Sequence, residues 1–295
     1  MTAARNVKLF TLILLFTFLV ANGCSGNTPD PIPTATMILP TRTPFPPSPT
    51  PIPTVAIVNG DLITLAEFQE ELARYKAAVN RELTLEDQEI VLNDLINLTL
   101  LAQAAKSEGH QASASALEER IAALDTEAQP LDDWLAAHGF TPESFQTYLK
   151  RALEAAWMRD KIIADVPNEM VQIHAQQMLF YELENAELAL AEIEKGIDFG
   201  QLASNYDPQT QGDLGWFPPN FLTLPELDPV LFNLEIGETS DIIETEIGYH
   251  IIKILDKEEN RPLDPAIRQI LQEKALDSWL ERRWKLSTIE ITLPT

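Results

Sequence analysis

The chain of 295 residues contains a single cysteine and few basic side chains. One cysteine excludes an internal disulfide framework and any metal site built from several cysteines. The 21 Lys and Arg residues stand against 45 Asp and Glu, a formal net charge of −24, so a nucleic acid or an anionic lipid surface would be repelled. Neither a glycine-rich phosphate loop nor a His-x-x-x-His pair is present. We therefore expect no nucleic-acid partner, no nucleotide, no metal and no small-molecule cofactor.

Aromatic side chains are also few, at 7%, while 45% of the residues are hydrophobic and 22% are charged. This composition is typical of a soluble globular protein and excludes both a disordered chain and a polytopic membrane protein. The length suffices for roughly two domains of ~100 to 200 residues each.

The N-terminus has the layout of an export signal. Arg5 and Lys8 precede an apolar run of 13 residues from Leu9 to Ala21, and Cys24 follows shortly after. A membrane-spanning helix needs ~20 apolar residues, so a retained transmembrane anchor is the weaker alternative. A small residue followed by a cysteine resembles the lipobox of bacterial lipoproteins. The resemblance implies that residues 1–23 are removed and that Cys24 is acylated, which anchors the protein to the outer face of the cell membrane.

A proline-rich segment separates this anchor from the folded part, as a linker over residues 24–54. Ten of the 21 prolines and seven threonines fall between Thr28 and Thr54. Because proline fixes φ and removes amide donors, we expect an extended spacer, at most about 80 Å long at ~3.1 Å per residue. The alternative is a recognition segment for proline-binding domains.

Residues 55–165 are predicted to be mostly helical. A short β-rich run with a turn at Asn59-Gly60 leads into Thr64-Leu-Ala-Glu67, which has the spacing of a capping box. Apolar residues then recur at helical spacing, beginning with the stripe Phe68, Leu72, Tyr75 and Val79.

Short strands and helices alternate after Pro167. We expect strands over 171–180 and 248–255, with helices over 185–195 and around 225–234 between them. Residues 168–258 thus form a small α+β domain, and a last helix over 264–285 leads to a β-rich end.

Three motifs in this second part, spread over residues 198–252, resemble the parvulin type of peptidyl-prolyl cis-trans isomerase. They are Asp198-Phe199, Gly212-Asp-Leu-Gly-Trp-Phe217 and Gly248-Tyr-His-Ile-Ile252. The flanking segments are similar to those of SurA/PrsA-type foldases. The resemblance implies an α+β protein in which residues 55–165 and 259–295 form a helical chaperone domain. A parvulin-like domain with a small, mostly antiparallel sheet flanked by helices is inserted between them.

The resemblance also implies a site. His250 takes the position of one family histidine, and Gln177 stands where the family usually has the other. Asp207 matches an acidic or thiol position, whereas strand alternation directs His174 to the opposite, exposed face. The implied substrate-binding residues are Leu222, Leu227, Phe232, Met178 and Trp216.

The implied function is that of a lipid-anchored, extracytoplasmic foldase that binds unfolded exported proteins with Xaa-Pro bonds. Because Gln177 replaces a histidine, we expect reduced isomerase activity. Two alternatives stay open at this point: a fully active isomerase in which Gln177 serves as a neutral hydrogen-bonding replacement, and a non-catalytic lipoprotein scaffold.

Overall fold

A computed structural model describes residues 52–126 and 129–292. The signal segment, Cys24 and nearly all of the proline-rich linker lie outside the described residues. Within the described ranges, no helix combines the length and the apolar character that crossing a bilayer requires.

The described residues form a mixture of helices and short antiparallel strands. In chain order the elements are β1 (Thr54–Val58), β2 (Asp61–Thr64), α1 (Leu65–Val79), α2 (Leu85–Ser107), α3 (Ala114–Ala122), α4 (Leu131–Ala137), α5 (Pro142–Ala164), β3 (Glu169–Phe180), α6 (Leu183–Glu194), α7 (Phe199–Tyr206), β4 (Asp213–Phe217), α8 (Asp228–Leu231), β5 (Ile243–Thr245), β6 (Gly248–Pro262), α9 (Pro265–Leu286) and β7 (Ile289–Ile291). The predicted fold class, α+β, is confirmed.

The chain divides into two compact units. One contains the described residues up to Met158 together with those from Trp284 onward, and the other is Arg159–Arg283. We expected the last helix to belong with the N-terminal domain, and this expectation needs correction for most of α9. Its residue Leu271 packs with Val166 and Leu263, inside the second unit.

The first unit is closed by strands from both ends of the described chain. Its sheet has the order β2-β1-β7, and Val58 of β1 pairs with Ile289 of β7. The β1–β2 turn uses Asn59 and Gly60, both with positive φ, which suits a tight hairpin. Helices α1 and α2 pack with this sheet around one apolar core. The indole of Trp284 donates a hydrogen bond to Asn97 on α2 at 2.7 Å. The expected joining of N- and C-terminal segments is thus present at β1 and β7.

The capping box predicted at α1 forms in part, and the structure shows a complete one at the start of α2. At α1, the Thr64 side chain accepts a hydrogen bond from the Glu67 amide. At α2, the Thr84 side chain accepts from the Asp87 amide, and the Asp87 carboxylate accepts from the Thr84 amide. Arg81 also donates to Asp87, so the start of α2 is fixed by a charged network. These caps satisfy backbone N–H groups that a helix start otherwise leaves open.

The second unit contains a four-stranded antiparallel sheet of order β4-β3-β6-β5. Helices α6 and α7 cover one face around Met178 and Phe199. The opposite face carries Ile173 and Ile252 and is covered by the chain that includes α8. Two separate apolar layers therefore sandwich the sheet, and alternate residues of β3 point into different layers.

Candidate active site

His250 lies in β6, at the centre of the sheet, and its side chain is 1% exposed. Nε2 of the ring is 2.9 Å from the hydroxyl oxygen of Thr245, and Nδ1 is 3.4 Å from the side-chain oxygen of Gln177. The tight connection between β5 and β6 brings Thr245 back to the ring, because Thr245 pairs with Gly248 across that turn. Gly248 has φ +139 and lies so close to the Phe180 carbonyl that a Cβ would clash.

Thr245 and Gln177 each lie next to one ring nitrogen of His250. The hydroxyl oxygen of Thr245 is 3.1 Å from the Gly248 carbonyl and 2.9 Å from Nε2, and it accepts a hydrogen bond from the Ile247 amide. A neutral imidazole donates through one nitrogen and accepts through the other, so these two neighbours together set its tautomer.

Burial lowers the pKa of His250 below its ordinary value, and this effect outweighs the opposing influence of Glu226. The imidazole is therefore neutral at pH 7. A neutral ring between a hydroxyl and an amide forms a polar group inside an apolar layer without introducing a charge.

Gln177 is held in place by the loop that follows α7. Its backbone N–H donates to the Gly212 carbonyl at 2.8 Å. Gly212 has φ +75, and a Cβ there would collide with the Gln177 carbonyl oxygen. Only glycine permits this close approach, which explains the glycine at the start of the Gly212–Phe217 motif.

Asp207 anchors the same loop. Its carboxylate accepts hydrogen bonds from the Thr210 hydroxyl and from the amides of Gln209 and Thr210. These bonds, above all that from the Thr210 hydroxyl, lower the pKa of Asp207. Asp207 and Gln177 line one cleft of about 190 Å³, but the lining of that cleft does not include His250. The structure thus gives Asp207 a loop-fixing position.

Three of the predicted substrate-binding residues come together on the His250 side of the sheet. Leu227 is 3% exposed, and the half-buried Leu222 and Phe232 pack against the same layer as Ile252. Ile252 pairs directly with Gln177 across β3 and β6. We call Leu222, Leu227 and Phe232 the apolar cup.

The structure does not bring Met178 and Trp216 to this cup, so their predicted role needs correction. Met178 is 2% exposed and packs with Phe199 on the opposite face, because it follows Gln177 directly in an alternating strand. Trp216 also faces away from the cup, and the Arg261 guanidinium lies 4.1 Å from its ring centroid. Trp216 pairs with His174 and shares its face, whereas the neighbouring Phe217 packs in the layer of the cup.

His174 lies on the opposite face from Gln177, as the sequence predicts. Its Nε2 is 2.7 Å from a carboxylate oxygen of Asp213, and its ring stacks on Trp216 at 5.6 Å between centroids. The side chain is half-buried, at 26% exposure, and is therefore less exposed than predicted. The cause is the neighbouring indole, which covers one face of the ring.

Sequence reasoning missed two polar residues of the site. Thr245 lies 2.9 Å from Nε2 of His250, and the buried Ser240 donates its amide to the Ile252 carbonyl while its hydroxyl oxygen accepts from the Ile252 amide. The sequence feature that could have identified Thr245 is its position in a short turn just before the strand of His250. A tight hairpin at that turn brings the hydroxyl back to the ring.

Comparisons with known proteins identify two families in the chain. Residues 181–256 match the family described as PPIC-type PPIASE domain, and residues 6–159 match the SurA-like N-terminal domain. The chain is 36% identical over 127 residues to the foldase protein PrsA of Geobacillus sp. (strain WCH70), which covers 41% of this chain and 46% of that protein. It is 28% identical over 255 residues to the foldase protein PrsA of Halalkalibacterium halodurans, covering 78% of this chain and 70% of that protein.

A similar solved structure is that of the peptidylprolyl isomerase PrsA from Bacillus cereus. It has 18% identity and a TM-score of 0.45, and the match covers 78% of this chain and 88% of that chain. The chain spans about half the length of the Geobacillus relative. The match to the SurA-like domain extends over more than half of the 295 residues, and the isomerase match begins after it, at residue 181. The chain therefore belongs to the SurA/PrsA family of foldases, in which a SurA-like N-terminal domain is combined with a parvulin-type peptidyl-prolyl isomerase domain.

Proposed function

We propose that the second unit catalyses cis-trans isomerisation of Xaa-Pro peptide bonds in unfolded proteins, at a lower rate than a site with two histidines. The observation that supports this proposal is the neutral His250, held between Thr245 and Gln177 beside the apolar cup. Such a site offers a proline ring an apolar surface and offers the preceding carbonyl a polar cluster.

The reaction needs no covalent chemistry. Rotation about the peptide bond has a barrier of ~18 to 20 kcal/mol, because resonance gives the C–N bond partial double-bond character. A site that binds the twisted imide better than either planar form lowers that barrier. Leu222, Leu227 and Phe232 would hold the proline ring, and the Gln177–His250 pair would stabilise the turned carbonyl or the pyramidal nitrogen.

Gln177 explains the expected low rate. An amide supplies hydrogen bonds but does not share a proton with an imidazole as a second histidine does. The remaining polar assistance then comes from one ring, whose lowered pKa keeps it uncharged.

The proposal includes a location and a class of client. The first unit would hold unfolded exported proteins, and lipid at Cys24 would attach the protein to the outer face of the cell membrane. The family membership supports the client class. The short apolar run before Cys24 supports the anchor. Asp207 is proposed to act indirectly, through the loop that fixes Gln177.

The decisive experiment measures cis-trans exchange of an Xaa-Pro peptide by NMR, with the parent chain, His250→Ala and the control His174→Ala. We expect measurable exchange with the parent, a loss with His250→Ala and no change with His174→Ala, because His174 lies on the other face. A holdase without isomerase activity is the competing function. Suppression of client aggregation by the parent, with no peptide exchange at any concentration, would establish that alternative.

A further inference from the structure

Lys274 of α9 makes three hydrogen bonds to one short stretch of backbone. Its ammonium group donates to the carbonyls of Asn220, Phe221 and Leu222 at 2.8, 2.9 and 3.0 Å. An ammonium has three N–H donors, so this contact uses all of them. Partial burial lowers the pKa of Lys274, and the nearby charge of Asp228 opposes that shift.

The same stretch is held from a second side by Asp228 at the start of α8. One carboxylate oxygen accepts from the Asn220 amide, and the other, Oδ1, is buried without a hydrogen-bond partner among the described residues. Asn220 has φ +63, a left-handed conformation that requires support from its surroundings. Backbone donors and acceptors of residues 220–222 are thus bound by two oppositely charged side chains.

This stretch carries part of the apolar cup. Leu222 and its neighbour Phe221 pack against the layer that contains Leu227 and Ile252. With the three carbonyls directed to Lys274, the backbone rotations that would move these two side chains are restricted. Without the ammonium group, these three carbonyls would lose their hydrogen bonds to it.

We propose that Lys274 is a positioning residue for the cup, so that proline binding depends on a helix outside the segment 181–256 that matches the isomerase domain. The inference rests on the proposed isomerase function. Lys274 lies more than 50 residues after the loop that it binds. It acts by keeping Leu222 in place before a substrate arrives, which reduces the entropy lost on binding.

The test uses the full chain with Lys274→Met, Lys274→Arg and the control Lys195→Met. Methionine keeps an unbranched apolar stem but removes all three donors, whereas arginine keeps the charge and several donors. Lys195 is an exposed lysine at the end of α6. Hydrogen exchange of residues 218–224 is measured by mass spectrometry, with β3 residues 171–180 as internal reference, and KM and kcat are measured with an Xaa-Pro peptide.

We expect Lys274→Met to accelerate exchange in 218–224 by roughly tenfold while residues 171–180 stay protected, the change expected when hydrogen bonds to one loop are lost. KM should rise several-fold with little change in kcat, and Lys274→Arg should recover part of both effects. Lys195→Met should behave like the parent.

Equal exchange of 218–224 in the parent and in Lys274→Met would overturn the proposal. So would an equal acceleration in both segments, because that result indicates general destabilisation. If the parent has no isomerase activity, the proposed function fails, and the exchange measurement still decides whether Lys274 positions the loop.

Discussion

Gln177 and His250 face each other from adjacent strands of one sheet, with the side-chain oxygen of Gln177 3.4 Å from Nδ1 of His250. Their backbones are offset by two residues along the ladder, since His250 pairs with Leu179 and Gln177 with Ile252. This diagonal brings two side chains of the same face within hydrogen-bonding reach. The identity of residue 177 therefore controls the environment of the imidazole.

Replacement of Gln177 by histidine should raise the isomerisation rate. The change restores paired imidazoles beside the cup, and we expect a gain of roughly tenfold, equivalent to about 1.4 kcal/mol of barrier. The rate is measured as cis-trans exchange of an Xaa-Pro peptide by NMR. The matched control is Gln176→His, because Gln176 precedes Gln177 in the same strand and points to the other face. A similar gain in both variants would contradict the assignment of the site.

Removal of the Thr245 hydroxyl should lower the rate. Thr245→Val keeps the shape of the side chain but leaves Nε2 of His250 without its hydrogen-bond partner, and an unsatisfied buried polar group costs about 1 to 3 kcal/mol. We expect a loss of several-fold or more in kcat/KM. Thr245→Ser keeps the hydroxyl and should retain most of the activity. An active Thr245→Val variant with unchanged His250 NMR signals would show that the hydroxyl does not fix the tautomer.

The pKa of His250 should lie below its ordinary value of about 6.5, because burial disfavours the charged ring. The folded state then binds fewer protons than the unfolded state between the two pKa values. The contribution of His250 to the free energy of unfolding is fully present above pH 6.5. It is lost as the pH falls from there towards the pKa of the folded state. An NMR titration of the His250 ring measures the shift directly, with His250→Ala for signal assignment. A midpoint above 6.5 would contradict the neutral imidazole.

The sequence predicted the strands around the site well, because its motifs contain the residues that their geometry requires. Gly212 and Gly248 lie where a Cβ would strike the backbone of β3, so the two glycine-led motifs mark close approaches. The alternation of β3 also separated Gln177 from His174 correctly. The same alternation should have excluded Met178, whose side chain must point away from that of Gln177.

The contacts of Trp216 and Lys274 were beyond sequence reasoning for physical reasons. Trp216 lies on the face of His174 because the two residues pair across β3 and β4, and this long-range register is not revealed by a pattern of apolar residues. Lys274 binds carbonyl groups, and a backbone acceptor has no signature in the side-chain sequence. The expected helix over 264–285 was found as α9, but its apolar contacts with Val166 and Leu263 place most of it in the second unit.

Substitution of the single cysteine should abolish lipid attachment. Cys24 follows an apolar run of 13 residues, and in the proposed signal its thiol is the site of acylation, so Cys24→Ser should leave an untrimmed and unlabelled precursor. Metabolic labelling with a lipid precursor measures the attachment, and the parent chain is the positive control. Equal labelling of Cys24→Ser and the parent would show that the anchor lies elsewhere.

The first unit should fold and hold clients without the second. Its sheet joins β1 to β7, and Trp284 binds Asn97 on α2, so the residues after Arg283 belong to its core. A chain in which residues 159–283 are replaced by a flexible Gly/Ser linker of about 15 residues should keep helical circular dichroism and melt cooperatively. It should also suppress aggregation of an unfolded client, while its isomerase activity should be absent. Truncation of the same chain at the end of the linker removes Trp284 and β7 and should abolish cooperative melting, because β1 loses its strand partner and Asn97 loses its hydrogen bond. A folded chain that no longer suppresses aggregation would show that clients are held by the isomerase unit instead.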